Sequence, residues 1–297
     1  MHFPTHAGSS RVALAPFLAL VVLGALPQLA AATTPLAAGN TSATREDLSL
    51  ARAIGGESAR PSTTIGGDIS YPQCGGPFPT QAAFAIVGVN HGVVFSANPC
   101  LGAGNGPSEL AWAGTYAQFY ANTGNPGPDL SSHWPDGQTS PRACNTDSSP
   151  GRDTPDCAYD YGWNAAANAY ATAVHAYVSL GWATADAEET PVANQWWLDV
   201  ETGNSWRGDA ALNVASLQGS VDYLEYVGVA GIGFYSTAQQ WGQVTGGTQA
   251  FSEYPSWVAG ARSLHGASER CVDSGFTGAR VTISQYLAKG FDADYLC

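Results

Sequence analysis

Between residues 65 and 295 the chain returns eight times to a short apolar run, at 65–70, 83–89, 115–121, 195–201, 231–235, 255–260, 280–286 and 291–295. Most are near-continuously apolar rather than alternating, as strands covered on both faces are. Helical signals fall between some of them. Residues 164–180 are Ala-rich with Tyr170, Val174, Tyr177 and Val178 on one face, and 209–227 carry Leu212, Leu217, Val221 and Leu224 and stop at Gly228. The gaps after the sixth and seventh runs are short or broken by glycine. Strand and helix in alternation predict an α/β fold, a single TIM-like barrel of eight parallel strands with few helices in its last third. Its span, residues 64–297, is roughly 235 residues and suits one such domain.

What precedes the barrel has a different character. Arg11 leads into an apolar stretch ending near Leu26, and Ala30-Ala31-Ala32 follows. A basic flank, a short apolar core and small residues are the pattern of a secretory signal, expected over 1–32. Residues 33–63 are rich in Ala, Thr, Ser and Gly without an aromatic and are expected to be a disordered leader. The mature protein is expected to be secreted, extracellular, free of the membrane once the signal is cleaved, and monomeric.

Export fits the six cysteines, Cys74, Cys100, Cys144, Cys157, Cys271 and Cys297, all of which follow the leader. In an oxidising compartment an even count implies disulfides. Of the possible pairings, nearest neighbours are favoured because each closes a short loop: Cys74–Cys100, Cys144–Cys157 and Cys271–Cys297. Metal binding is the competing reading, but no Cys-x-x-Cys or histidine cluster at ligand spacing is present, so no metal and no cofactor is expected.

The net charge is −13, with Lys289 the single lysine, so a basic stripe for nucleic acid is absent. Charged residues make up 12% and aromatics 11%, with nine tryptophans. A weakly charged, aromatic-rich surface suits a neutral ring-shaped ligand such as a sugar, although any one tryptophan is more readily a core residue. Residues 125–160 break the strand–helix pattern: they are rich in Pro, Gly and Asp and contain Cys144 and Cys157. A long insertion after the third strand would lie on the substrate face of a barrel, as a specificity loop or as a tolerated extra.

The chemistry-bearing stretch is Leu198-Asp-Val-Glu201. Residues i and i+2 of a strand project to one side, so Asp199 and Glu201 point together toward the carboxyl end of the fourth strand. A pair of carboxyl groups, one protonated and one ionised, is the apparatus of glycoside hydrolysis. A solvated strand end or a calcium ligand pair would give the same spacing. Further acids lie at other strand ends, Asp68 in the first run and Asp292 and Asp294 in the eighth, with Gln285 and Tyr286 ending the seventh. His91 is expected to be a surface hydrogen-bonding group. No Gly-x-Ser-x-Gly elbow and no phosphate loop occurs.

In order along the chain, these features resemble the glycoside hydrolase family 25 lysozymes. Asp68-Ile-Ser-Tyr-Pro-Gln-Cys-Gly75 is similar to that family's opening strand and Leu198-Asp-Val-Glu201 to its central one. Gly233-Phe-Tyr-Ser236, Trp257-Val-Ala259, Ser284-Gln-Tyr286 and Phe291-Asp292 resemble the later strands. The resemblance implies a (β/α)5(β)3 barrel and a secreted glycosidase cleaving the β-1,4 bond after N-acetylmuramic acid in peptidoglycan, with retention. Glu201 would be the general acid, and Asp199, Asp68 and Asp292 would line the catalytic subsite. The nucleophile would be the substrate's own acetamido group or an aspartate. Tyr116, Gln118, Tyr235, Trp257, Gln285, Tyr286 and Asp294 are expected to contact the polysaccharide. The chain departs from the family at Gly88-Val-Asn-His-Gly92, at Tyr116 to Asn122 and at Cys74, which bears on the identity of the glycan. A non-catalytic carbohydrate-binding barrel, or a glycosidase for another polysaccharide, are the alternatives.

Overall fold

A computed structural model describes residues 64–80, 82–144, 152–288 and 290–297, all within one compact unit that spans Ala59–Cys297. The expected signal and leader lie outside the described residues.

Eight strands close into a barrel in chain order. They are β1 (Ile65–Ile69), β2 (Ala85–Gly88), β3 (Gln118–Asn122), β4 (Gln195–Asp199), β5 (Gly231–Ser236), β6 (Ser256–Ala261), β7 (Val281–Ala288) and β8 (Phe291–Leu296). Neighbours from β1 through β7 pair in parallel. The expectation of eight parallel strands fails at β8, which runs antiparallel to both β7 and β1. A parallel return requires a crossover of about a dozen residues or more. Only two residues separate Ala288 from Phe291, so the chain turns back as a hairpin.

The helices follow the predicted thinning toward the end. They are α1 (Glu109–Ala113), α2 (Pro155–Ser179), α3 (Thr184–Ala193), α4 (Ala210–Tyr226), α5 (Ala238–Thr245) and the short α6 (Leu264–Glu269). α2 begins nine residues before its expected start at Asn164. Thr154 caps it by accepting from the Cys157 amide at 3.2 Å, and Pro155 occupies the first turn. The final residues of the expected 125–160 insertion are thus the first turns of a barrel helix.

The adjacent tryptophans of β4 divide between two cores. Trp196 faces outward, stacks on Phe119 and donates its indole N–H to the Pro191 carbonyl at 2.8 Å. This outer core continues through Ile69, Val87, Leu198 and Phe234 into the helix residues Ala169, Ala173, Leu217 and Val221. Trp197 faces the barrel axis, where it packs with Ile86, Trp257 and Ile283 and donates to Gln118 Oε1 at 2.8 Å. Against the outer layer, α2 and α4 approach at two glycines: a methyl on Gly162 would strike the Ser216 backbone, and one on Gly219 would strike that of Tyr159. All three nearest-neighbour disulfides are formed.

Candidate active site

The period of two that sends Trp197 inward sends Asp199 inward as well, one layer nearer the carboxyl ends of the parallel strands. Glu201 follows past the strand end, at the rim. Asp68, Asp199, Glu201 and Asp292 line one cavity of about 400 Å³ at that end of the barrel. Trp257, Tyr120 and Tyr235 share the lining, and all three pack with the apolar axis residues. The site is an acidic cup on an aromatic floor.

Two of the acids are held by side chains from other strands. Asp199 is 2% exposed and accepts from Asn122 Nδ2 at 2.5 Å, its partner across the β3–β4 register. Asp68 Oδ2 accepts from Gln285 Nε2 at 3.0 Å. Gln285 is oriented in turn by Tyr235, whose hydroxyl donates to Gln285 Oε1 at 2.8 Å. The backbone of Glu201 is fixed from outside the cup: its carbonyl accepts from Trp206 Nε1 at 2.8 Å, and the next amide, Thr202 N–H, donates to Gln240 Oε1 at 2.6 Å. Glu201 itself remains half-buried, with its side chain lining the cavity.

Burial shapes the charge of this cup. The Asp199 carboxyl is pushed well above the ordinary range by loss of water and then by the nearby Glu201, with hydrogen bonds from Asn122 and Asn204 opposing. Asp68 is raised to about 7, chiefly by burial and next by Asp292, against the hydrogen bond from Gln285. Burial also raises Asp292. Carboxyl groups set this close give up their protons in steps that belong to the group rather than to one residue. A cluster of carboxyl groups that share their protons can give one to a leaving oxygen and still offer negative charge beside it.

Of the seven residues expected to contact a polysaccharide, Tyr235, Trp257 and Gln285 line the cavity, and four lie elsewhere. Tyr116 precedes β3, at the opposite end of the barrel, and is 85% exposed beside Trp182 and Asp186. Gln118 opens β3 and is occupied by Trp197 beneath the floor. Tyr286 projects to the other side of β7 from Gln285 by strand alternation. Asp294 is fully buried and accepts from Trp257 Nε1 at 2.9 Å. The direction of β8 explains this last case: in a strand running away from the mouth, the second acid lies deeper than the first. His91 is exposed and packs edge-on to Tyr71, with ring centroids 4.5 Å apart.

Several lining residues did not emerge from sequence reading, notably Tyr71, Tyr120, Asn122 and Asn204. The signal for Tyr120 was a glycine. A Cβ on Gly88 would lie 2.6 Å from both Ser70 Cβ and the Tyr120 ring, so only glycine lets Tyr120 lie across β2.

A protein-family profile described as "Lysozyme-like protein 1" matches residues 183–269. Two curated Dictyostelium discoideum proteins are similar over a shorter stretch. "Probable GH family 25 lysozyme 4" is 44% identical over 63 residues, which is 21% of this chain and 29% of that protein. "Probable GH family 25 lysozyme 5" is 33% identical over 64 residues, covering 21% and 30%. The chain thus spans under a third of the length of the curated relatives it matches. Among solved structures, a family GH25 lysozyme from Aspergillus fumigatus is 14% identical with a TM-score of 0.46, covering 79% of this chain and 93% of that one. A bacterial lysozyme from Streptomyces coelicolor is 15% identical with a TM-score of 0.43, covering 79% and 92%. Sequence comparison thus finds, over part of the chain, a similarity to proteins named as family 25 lysozymes.

Proposed function

We propose that this protein is a secreted glycoside hydrolase of the family 25 lysozyme type, cleaving β-1,4 bonds of peptidoglycan with Glu201 as general acid. The observation that carries this reading is the convergence of Asp68, Asp199, Glu201 and Asp292, from three strands and one strand end, on a single cavity floored by aromatic rings. A solvated strand end would leave Asp199 in water, and here it is 2% exposed. The relatives named as lysozymes support the same reading.

In the reaction a sugar ring lies against Tyr235, which Trp257 backs from below, with its anomeric carbon above the aspartates. Glu201, at the rim, gives its proton to the glycosidic oxygen. The negative charge shared among Asp199, Asp68 and Asp292 stabilises the positive charge that develops at the anomeric carbon as that bond breaks. The substrate's acetamido oxygen or an aspartate takes the position of nucleophile. Water then releases the product, with Glu201 accepting the proton it returns. Gln285 and Asn122 hold the aspartates in place throughout, so little reorganisation accompanies the charge shift.

The test is release of reducing sugar from purified peptidoglycan by the protein and by Glu201→Gln. Loss of a general acid costs roughly 10²–10⁴-fold in rate while leaving binding intact. Equal activity in the two proteins would remove Glu201 from the mechanism. No release by either, with binding retained, would make the barrel a carbohydrate-binding protein.

A further inference from the structure

A second cavity, of about 210 Å³, opens beside the catalytic one and meets it at Gly92, Gly203 and Asn204, which line both. Its outer wall comes from two loops. Phe95 belongs to the loop after β2, and Ser131, Ser132 and His133 belong to the insertion after β3. Phe95 and His133 stack with ring centroids 4.3 Å apart and planes 11° apart. Tyr161, from the first turns of α2, meets Phe95 edge-on at 5.3 Å.

This wall is built to hold its shape. Phe95 has a φ of 62°, in the left-handed region that a bulky side chain rarely occupies. It is kept there by packing on the small core of Trp134, Cys144, Cys157 and Tyr161. Residues held in such conformations gather at ligand sites, where the surroundings enforce them. The insertion is tied down by the Cys144–Cys157 disulfide, by the paired contacts of Arg207 with Asp153 at 2.7 and 2.6 Å, and by Arg152 to Asp136 at 2.9 Å.

The chemistry of the two cavities differs. The catalytic cup carries four carboxylates, whereas none of the described residues lining the second cavity has one. Its polar groups are hydroxyls and amides, beside a stacked aromatic pair.

We propose that this cavity is a second sugar subsite, made by the insertion, which takes a neutral pyranose next to the ring held at the acids. In peptidoglycan that ring is N-acetylglucosamine. Its apolar face lies on the Phe95–His133 stack, and its hydroxyls reach Ser131, Ser132 and Asn204. The subsite rests on the glycosidase reading above and lies on the leaving-group side of the cup, where Gly203 and Asn204 follow Glu201, so that a disaccharide ending in the N-acetylmuramic acid held at the acids does not reach it and longer chains do.

The test is calorimetric titration of the Glu201→Gln protein with peptidoglycan di-, tetra- and hexasaccharides of alternating N-acetylglucosamine and N-acetylmuramic acid. The hexasaccharide is expected to bind about threefold to tenfold more tightly than the disaccharide, the range of one aromatic contact. Adding Phe95→Gly, which tolerates the positive φ, or His133→Ala at the exposed rim, should bring that ratio to about one. An unchanged ratio in both added variants, or no dependence on length to begin with, overturns the subsite and leaves the glycosidase reading standing. Failure to bind a saccharide of any length overturns both.

Discussion

β4 and β8 each present an acid, a small or apolar residue and a second acid: Asp199-Val-Glu201 on one, Asp292-Ala-Asp294 on the other. On β4, which runs toward the mouth of the barrel, the first acid lines the cavity and the second stands at its rim. On β8, which runs away from the mouth, the first acid lines the cavity and the second is sealed beneath it. One sequence pattern therefore yields three depths, and the depth decides the chemistry. Glu201 can meet a leaving group. Asp294 meets Trp257 and Asp68, and burial, followed by the charge of Asp68, drives its carboxyl well above the ordinary range. It acts as a hydrogen-bonding residue that orients the floor.

The largest expected effect of this difference is on β4, where both acids face the cavity. Asp199→Asn should lower turnover of peptidoglycan by about 10²–10³-fold, the loss typical of one electrostatic contact to a developing charge. Retained turnover in that variant would place Asp199 outside the reaction.

Stability should carry the mark of the buried acids in its pH dependence. Asp68 and Glu109 sit near 7, and Asp199 and Asp294 higher than ordinary, in each case chiefly because burial penalises the charged form. The unfolded chain ionises the same groups near pH 4. Between about pH 4 and 7 the folded state thus holds more protons, and its stability falls as the pH rises through that window. Urea midpoints measured at pH 5 should exceed those at pH 8. Glu109 is fully buried under the Asn98 amide, 2.7 Å away, and outside the cavity, so it isolates this effect from catalysis. Glu109→Gln should recover about 1–3 kcal/mol at pH 8 and little at pH 4. A gain of equal size at both pH values would refute the assignment.

At the helix layer, Gly219→Ala should cost about 1–3 kcal/mol by overpacking against Tyr159, read as a lower urea midpoint with an unchanged slope. A neutral outcome would mean that α2 and α4 can separate without loss. The smallest effect is expected at the orienting chain of the floor. Tyr235→Phe removes the hydroxyl that holds Gln285, worth about 0.5–1.5 kcal/mol, and should lower turnover only a few-fold.

Much of this arrangement was legible in the sequence, because its carriers obey a local rule. The eight apolar runs fall on the eight strands, and Leu198-Asp-Val-Glu201 aims its acids through the period of two. The disulfides followed from loop closure. What escaped depended on direction or on register. β8 had no crossover helix to reveal that it turns back, so Asp294 looked equivalent to Asp292. β3 begins three residues later than its apolar run suggests, which moved Tyr116 and Gln118 to the wrong end and hid Tyr120 and Asn122. The start of α2 was concealed by its own cap, since Thr154, Pro155 and Asp156 read as loop composition although they are also what opens a helix.

Depth separates the acids that react from those that support, and the two acids of β8 show it most directly. Reducing-sugar release from peptidoglycan should be measured for Asp292→Asn and Asp294→Asn in parallel. Asp292→Asn should lose about 10²–10³-fold, whereas Asp294→Asn keeps an acceptor for Trp257 and a donor toward Asp68 and should stay within about threefold of the unaltered protein. Equal losses in the two variants, or a greater loss at Asp294, would contradict the assignment of catalysis to the acids of the cavity.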